Sequence, residues 1–99
     1  MIHVLAIITT KPHQRAAVLK IFNANVPAVR AEAGCIEYGA TVDVDGADPA
    51  FGPDTFVVVE KWESLAALKA HAVAPHMVAY GAKTKDMVAQ RAVHVLTPV

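Results

Sequence analysis

The first strand-like run of the chain, Ile2-His3-Val4-Leu5-Ala6-Ile7-Ile8-Thr9, is apolar on both of its faces. It is short, rich in β-branched residues and ends at threonines, which reads as a β-strand. Alternation puts Val4, Ala6 and Ile8 on one side and Leu5 and Ile7 on the other. A later run repeats the feature, with Phe56 and Val58 opposing Val57 and Val59. A sheet with two apolar faces needs a covering layer on each. A chain of 99 residues has room for one domain and one core, so it cannot supply many layers itself.

The remaining elements follow from pattern. Pro12 is expected to open a helix, since its fixed φ suits the first helical position. Val18, Ile21, Phe22, Val26 and Val29 recur at helical spacing and give it an apolar face. Pro27 inside that pattern predicts a kink or a tightened last section. Gly34 is placed to end the helix in a left-handed conformation. A second strand runs from about Cys35 to Val44, with Ile36, Tyr38, Ala40, Val42 and Val44 on one face. Asp45 to Asp54, dense in turn formers, is expected to be a surface loop. A third strand spans about Thr55 to Trp62, and Ser64 can cap the helix that follows. Leu65, Leu68 and Ala72 share a face of that helix, Pro75 interrupts it, and helix resumes to about Ala89. A last strand covers about Arg91 to Leu96. The order predicts an α+β domain of ferredoxin-like βαββαβ type over residues 1–99, with an antiparallel four-stranded sheet. Its helices cover one sheet face only. A second copy of the chain is the economical cover for the other, and burying ~800 Å² per subunit makes a standard homodimer interface.

Composition narrows the function classes. Nine Lys+Arg balance nine Asp+Glu, so there is no basic excess of the kind nucleic-acid binders carry. The longest apolar run, Val4 to Ile8, is far too short to span a membrane. Cys35 is the only cysteine, which rules out an internal disulfide and a cysteine-rich metal site. A cytoplasmic protein is the simplest reading. The five glycines form no nucleotide-binding pattern, and no histidine or acidic spacing suggests a metal.

Five histidines remain as carriers of chemistry, His71 and His76 above all. His71 lies at the border of the apolar face of its helix and can reach a buried space. His76 follows Pro75 and falls in the first turn of the helix that Pro75 opens. Trp62 ends the third strand just before these helices. Met77, Tyr80, Thr84 and Met87 follow helical spacing and are placed to line one wall, with Tyr38 as a further aromatic. Packing alone would account for each singly. Together they suggest an apolar pocket with a few polar groups, suited to a small organic ligand.

Three segments, Glu32-Ala33-Gly34-Cys35-Ile36-Glu37-Tyr38, Phe56-Val57-Val58-Val59-Glu60-Lys61-Trp62 and Leu68-Lys69-Ala70-His71-Ala72-Val73-Ala74-Pro75-His76, resemble the antibiotic biosynthesis monooxygenase family, and within it the small quinol-oxidising members. The likeness runs over nearly the whole chain. It implies a dimeric α+β barrel made by two ferredoxin-like sheets. It also implies oxygenation of a quinol or other phenolic substrate by molecular oxygen, with no metal, flavin or other cofactor. His71 or His76 would be the base, Trp62 a pocket wall or a stabiliser of the radical pair, and Glu60 a group that orients a histidine. Tyr38, Met77 and Tyr80 would join Glu60 in holding the substrate. The chain departs from the family pattern at Ala74, where Ser is frequent, and at Met77, where Phe is frequent. Haem-degrading relatives use an Asn in the first strand, and Ile2 to Thr9 contains none. That lowers the haem-degrading reading without removing it, since His76 could ligate haem; a non-catalytic binder of a hydrophobic metabolite and an isomerase of a signal molecule are the other remaining readings.

Overall fold

A computed structural model describes residues 1–99. Strand β1 (Ile2–Thr10) is followed by helix α1 (Arg15–Arg30), strands β2 (Cys35–Thr41) and β3 (Thr55–Trp62), helices α2 (Leu65–Ala72) and α3 (Pro75–Thr84), and strand β4 (Val88–Leu96). The four strands form one sheet in the order β2-β3-β1-β4, antiparallel throughout. This is the expected ferredoxin-like arrangement, with the second helical region split in two at Pro75.

The inward face of the sheet carries Val4, Ala6 and Ile8 of β1 and Phe56, Val58, Glu60 and Trp62 of β3, all buried. Helix α1 packs Val18, Phe22, Val26 and Val29 against it, residues spaced so that they share one stripe. On the opposite face Leu5, Ile7, Val57, Val59 and Leu96 have no covering layer in the single chain.

Several boundaries differ from expectation, each for a local reason. Pro12 does not open α1. The Lys11 carbonyl accepts from the Gln14 N–H at 3.1 Å, and His13 sits at φ 67, so Pro12 and His13 form a turn with a left-handed third position that no helix can include. Helix α1 runs unbroken through Pro27 and ends at Arg30, before Gly34. Just beyond it, the Glu32 N–H reaches back only three residues to the Val29 carbonyl at 3.0 Å, so the tightening falls after the last turn. Strand β2 stops at Thr41. The Asp43 carboxylate accepts from the N–H groups of Phe51 and Gly52 and turns the chain away, leaving Val42 and Val44 exposed. A bulge between Cys35 and Glu37 breaks the alternation of β2, so Ile36 is 51% exposed while Tyr38 is buried. Helix α3 ends at Thr84 rather than near Ala89. Residues from Val88 onward are drawn into the sheet by pairing with Thr10 and Thr9. Residues 42–54 are a largely exposed loop, which contains the 45–54 stretch expected from composition and begins three residues earlier.

Candidate functional site

The turn between α1 and β2 sets the site. Gly34 sits at φ 84, and a Cβ there would lie 2.7 Å from the Cβ of Ala67. Only glycine lets α2 come this close. Ser64 caps α2 as expected, its Oγ accepting from the Ala67 N–H at 3.1 Å. The close approach rotates α2 relative to the face read from sequence. Ala67, Leu68 and His71 turn inward, while Leu65 and Ala72 are exposed. His71 is thus the buried residue of α2, 5% exposed, rather than a border position.

Glu32 occupies the same turn. Its N–H bonds the Val29 carbonyl and its own carbonyl accepts from Cys35, so its backbone is fixed at both ends. Its Oε2 lies 2.8 Å from His71 Nδ1 and 2.8 Å from His76 Nε2. A carboxylate oxygen only accepts, so each of these ring nitrogens carries its hydrogen. For His71 that leaves Nε2 with a lone pair. Nε2 stands 4.0 Å from Glu60 Oε1, too far for a direct hydrogen bond and open to a third group.

Glu60 is held by the Trp62 indole, whose Nε1–H donates to Glu60 Oε1 at 2.9 Å. Trp62 is fully buried, with its ring centroid 4.6 Å from that of His71. Burial pushes the Glu60 carboxyl above its ordinary range, against the Trp62 N–H, the charge that His71 carries when protonated, and the charge of Arg91. Burial likewise pushes the Tyr38 and Tyr80 hydroxyls up, so neither phenol is available as a base at neutral pH.

A cavity of about 700 Å³ lies between the sheet and the helices, lined mainly by apolar side chains. His71, Glu60, Tyr38, Met77 and Tyr80 all border it. Tyr38 stacks on Phe22 at 5.2 Å, and the Asn25 amide reaches the Met77 sulfur at 3.4 Å, so both walls are braced. Thr84 lines the cavity too, whereas Met87 falls in the turn before β4 and does not. Two candidates take other places. Trp62 lies behind Glu60 and His71 and is not among the lining residues. His76 is the second residue of α3, after an Ala74 that offers no side-chain cap, and it lines a separate cleft of about 410 Å³ between α1 and α3. Glu32 was not singled out by sequence reasoning. It stands 39 and 44 positions from the histidines it joins, and no local pattern encodes such a pair.

The antibiotic biosynthesis monooxygenase family matches residues 1–83. The chain belongs to that family. It is 40% identical over 102 residues to Probable quinol monooxygenase YgiN of Escherichia coli K12, covering 99% of this chain and 98% of that protein. The solved structure of Rv0793 from Mycobacterium tuberculosis superposes with a TM-score of 0.82 at 29% identity, over 99% of this chain and 94% of that one. A further crystal structure, of an antibiotic biosynthesis monooxygenase, gives 0.84 at 27% identity over 100% of this chain and 99% of the other. Family and relatives together support a monooxygenase-type function.

Proposed function

We propose that the chain oxidises a small quinol or phenol with molecular oxygen, without a bound cofactor, and that His71 is the base. The reading rests on one observation: Glu32 Oε2 lies 2.8 Å from Nδ1 of His71, which borders an apolar cavity, and a carboxylate there favours the neutral tautomer with its proton on Nδ1 and its lone pair on Nε2. Nε2 takes the proton of a substrate hydroxyl, and the imidazolium is balanced by the Glu32 carboxylate. In a dry pocket the resulting anion is a strong one-electron donor. It passes an electron to oxygen, and the radical pair recombines at a ring carbon to form a C–O bond. That carbon then loses its hydrogen as a proton while the O–O bond breaks, and His71 returns a proton to the departing oxygen. One oxygen atom stays in the product as a quinone oxygen and the other leaves as water. The substrate supplies all the electrons, so no external reductant is required. Apolar walls favour this course by alignment and exclusion of water.

The uncovered apolar face of the sheet supports a homodimer as the working form, with oxygen and the quinol as small-molecule partners. No helix is long and apolar enough to cross a membrane.

The test is oxygen uptake on a panel of quinols and phenols with chelator present and uncatalysed oxidation subtracted. His71→Gln is expected to lose on the order of 10²–10⁴-fold in rate while staying folded. A folded His71→Gln protein with wild-type rates would overturn the role of His71.

A further inference from the structure

The cavity has a chemical polarity along its length that the acid–base end does not use. Val4 pairs with Glu60 on one side and Val95 on the other, whereas Ile8 pairs with Phe56 and Arg91. Glu60 and Arg91 therefore sit four residues apart along β1, roughly 13 Å of strand. Glu60 and His71 mark one end of the cavity. Arg91 and Lys85 mark the other, and the wall between is apolar, with Ala6, Val58 and Val93.

Arg91 stands in the inward-facing row of β4, in line with Val93 and Val95, where an apolar residue would be the ordinary choice. It forms no ion pair. Neither do Lys85 and Lys69, the other cations that border the cavity; Lys61 with Glu37 is the chain's one lysine or arginine pair. In a chain of zero net charge, three unpaired cations thus meet a cavity whose only acidic lining residue is the buried Glu60. Arg91 lines the cavity together with Lys85 and Tyr80.

We propose that the cavity takes a phenol or quinol bearing a second, anionic group, of which a carboxylate is the type, and that Arg91 with Lys85 binds that group while His71 meets the hydroxyl. The inference rests on the proposed quinol or phenol chemistry for the hydroxyl end, but the anionic end stands on binding alone. A planar guanidinium fits a carboxylate with paired hydrogen bonds, and an aromatic body covering Arg91 would exclude water from the pair. The geometry also sets direction. A substrate anchored at Arg91 presents its far edge to His71, so the anion selects which hydroxyl is deprotonated.

The test uses a hydroxynaphthoate with its hydroxyl and carboxylate at opposite ends of the fused ring, and the corresponding uncharged amide. Calorimetric titration of the intact protein is expected to show the acid binding at least about tenfold tighter, a difference of about 1.4 kcal/mol. The acid-to-amide ratio should shrink as salt rises. It should fall toward unity in Arg91→Gln, and fall partway in Lys85→Gln and in Arg91→Lys, which keeps the charge but not the paired hydrogen bonds. Both residues are exposed, and circular dichroism checks that each variant is folded. Equal affinities in the wild type, no binding of either compound, or a ratio unchanged by Arg91→Gln would each overturn the proposal. Binding is read without turnover, so failure of quinol oxidation with the acid preference intact would remove the catalytic reading alone. Oxidation of neutral quinols with no acid preference would remove this one alone.

Discussion

The turn between α1 and β2 and the loop between β2 and β3 both use left-handed glycines, yet they do opposite work. In the short turn Gly34, at φ 84, lets α2 close against the chain, and Glu32 two residues earlier ties the histidines of α2 and α3 to one oxygen. In the long loop Gly46, at φ 81, has nothing within 4 Å of where a side chain would begin, and neither does Gly52. The same backbone conformation is a packing requirement in one place and only a way of turning in the other. The difference lies in what stands opposite, not in the residue.

The pair Gly34→Ala and Gly46→Ala separates those two contributions, because both carry nearly the same left-handed strain. A non-glycine residue there costs of order 1–3 kcal/mol in either position. Gly34→Ala adds overpacking against Ala67, typically another ~1–3 kcal/mol. Urea unfolding is expected to show Gly34→Ala as clearly the less stable, and its oxygen uptake should also fall, because pushing α2 outward stretches the bond from His71 to Glu32. Equal losses in the two variants would mean that α2 yields without cost.

Glu32→Gln probes the turn without disturbing its backbone. An amide keeps the shape but cannot balance an imidazolium. The quinol oxidation rate is expected to fall on the order of tenfold, less than the roughly 10²–10⁴-fold ascribed to the base itself. His76→Gln, which faces the smaller cleft, should cost less than His71→Gln. The reverse order would move the base to α3.

Much of this was legible in the sequence. The apolar runs of β1 and β3, the stripe of α1 and the Ser64 cap are local patterns, and each lies where periodicity puts it. What was not legible depends on partners far along the chain. Ile36 reads as inward until the bulge opposite Lys61 and Trp62 turns it out. His71 reads as a border residue until Gly34 admits α2 and rotates it. Glu32 stands in a segment that resembles the family, but its role has no local signature, because its partners are two histidines carried on other elements. The candidate site was therefore recognisable by its residue types, while its wiring was not.

The candidate site and the loop also differ in how acid should act on them. Burial raises the Glu60 carboxyl, so its neutral form is the one the fold favours. Its contribution is fully present below the unfolded carboxylate value and is lost as pH rises through the folded one. Glu60→Gln should flatten the decline in stability over that rising window. In the loop, the amides of Gly52 and Phe51 lower the Asp43 carboxyl. Its contribution is present above the unfolded value and is lost as pH falls through the folded one. Protection from hydrogen exchange at the Phe51 and Gly52 amides, taken relative to the intrinsic rate at each pH, should therefore fall in acid, while Asp43→Ala leaves it low at every pH.

The smallest effect is expected from the loop itself. Asp43 and Asp54 anchor its ends, the first through Phe51 and Gly52 and the second through the His13 N–H at 3.1 Å. Between them residues 45–50 are largely exposed, and Phe51 is 59% exposed. Shortening a flexible loop changes its closure entropy only slowly with length, by about 0.6 kcal/mol per halving. Excising residues 45–50 should therefore move the melting temperature by a few degrees at most and leave quinol oxidation untouched, since no residue of the loop borders the cavity. A loss of more than about 10 °C would say that the loop makes stabilising contacts beyond closing the chain. Light scattering on the shortened protein then identifies them. If the chain runs as a dimer before excision and as a monomer after, the loop is part of the contact between copies. If the mass is unchanged while stability falls, the loop braces its own sheet edge through Asp43, and the contrast with the α1–β2 turn is one of degree.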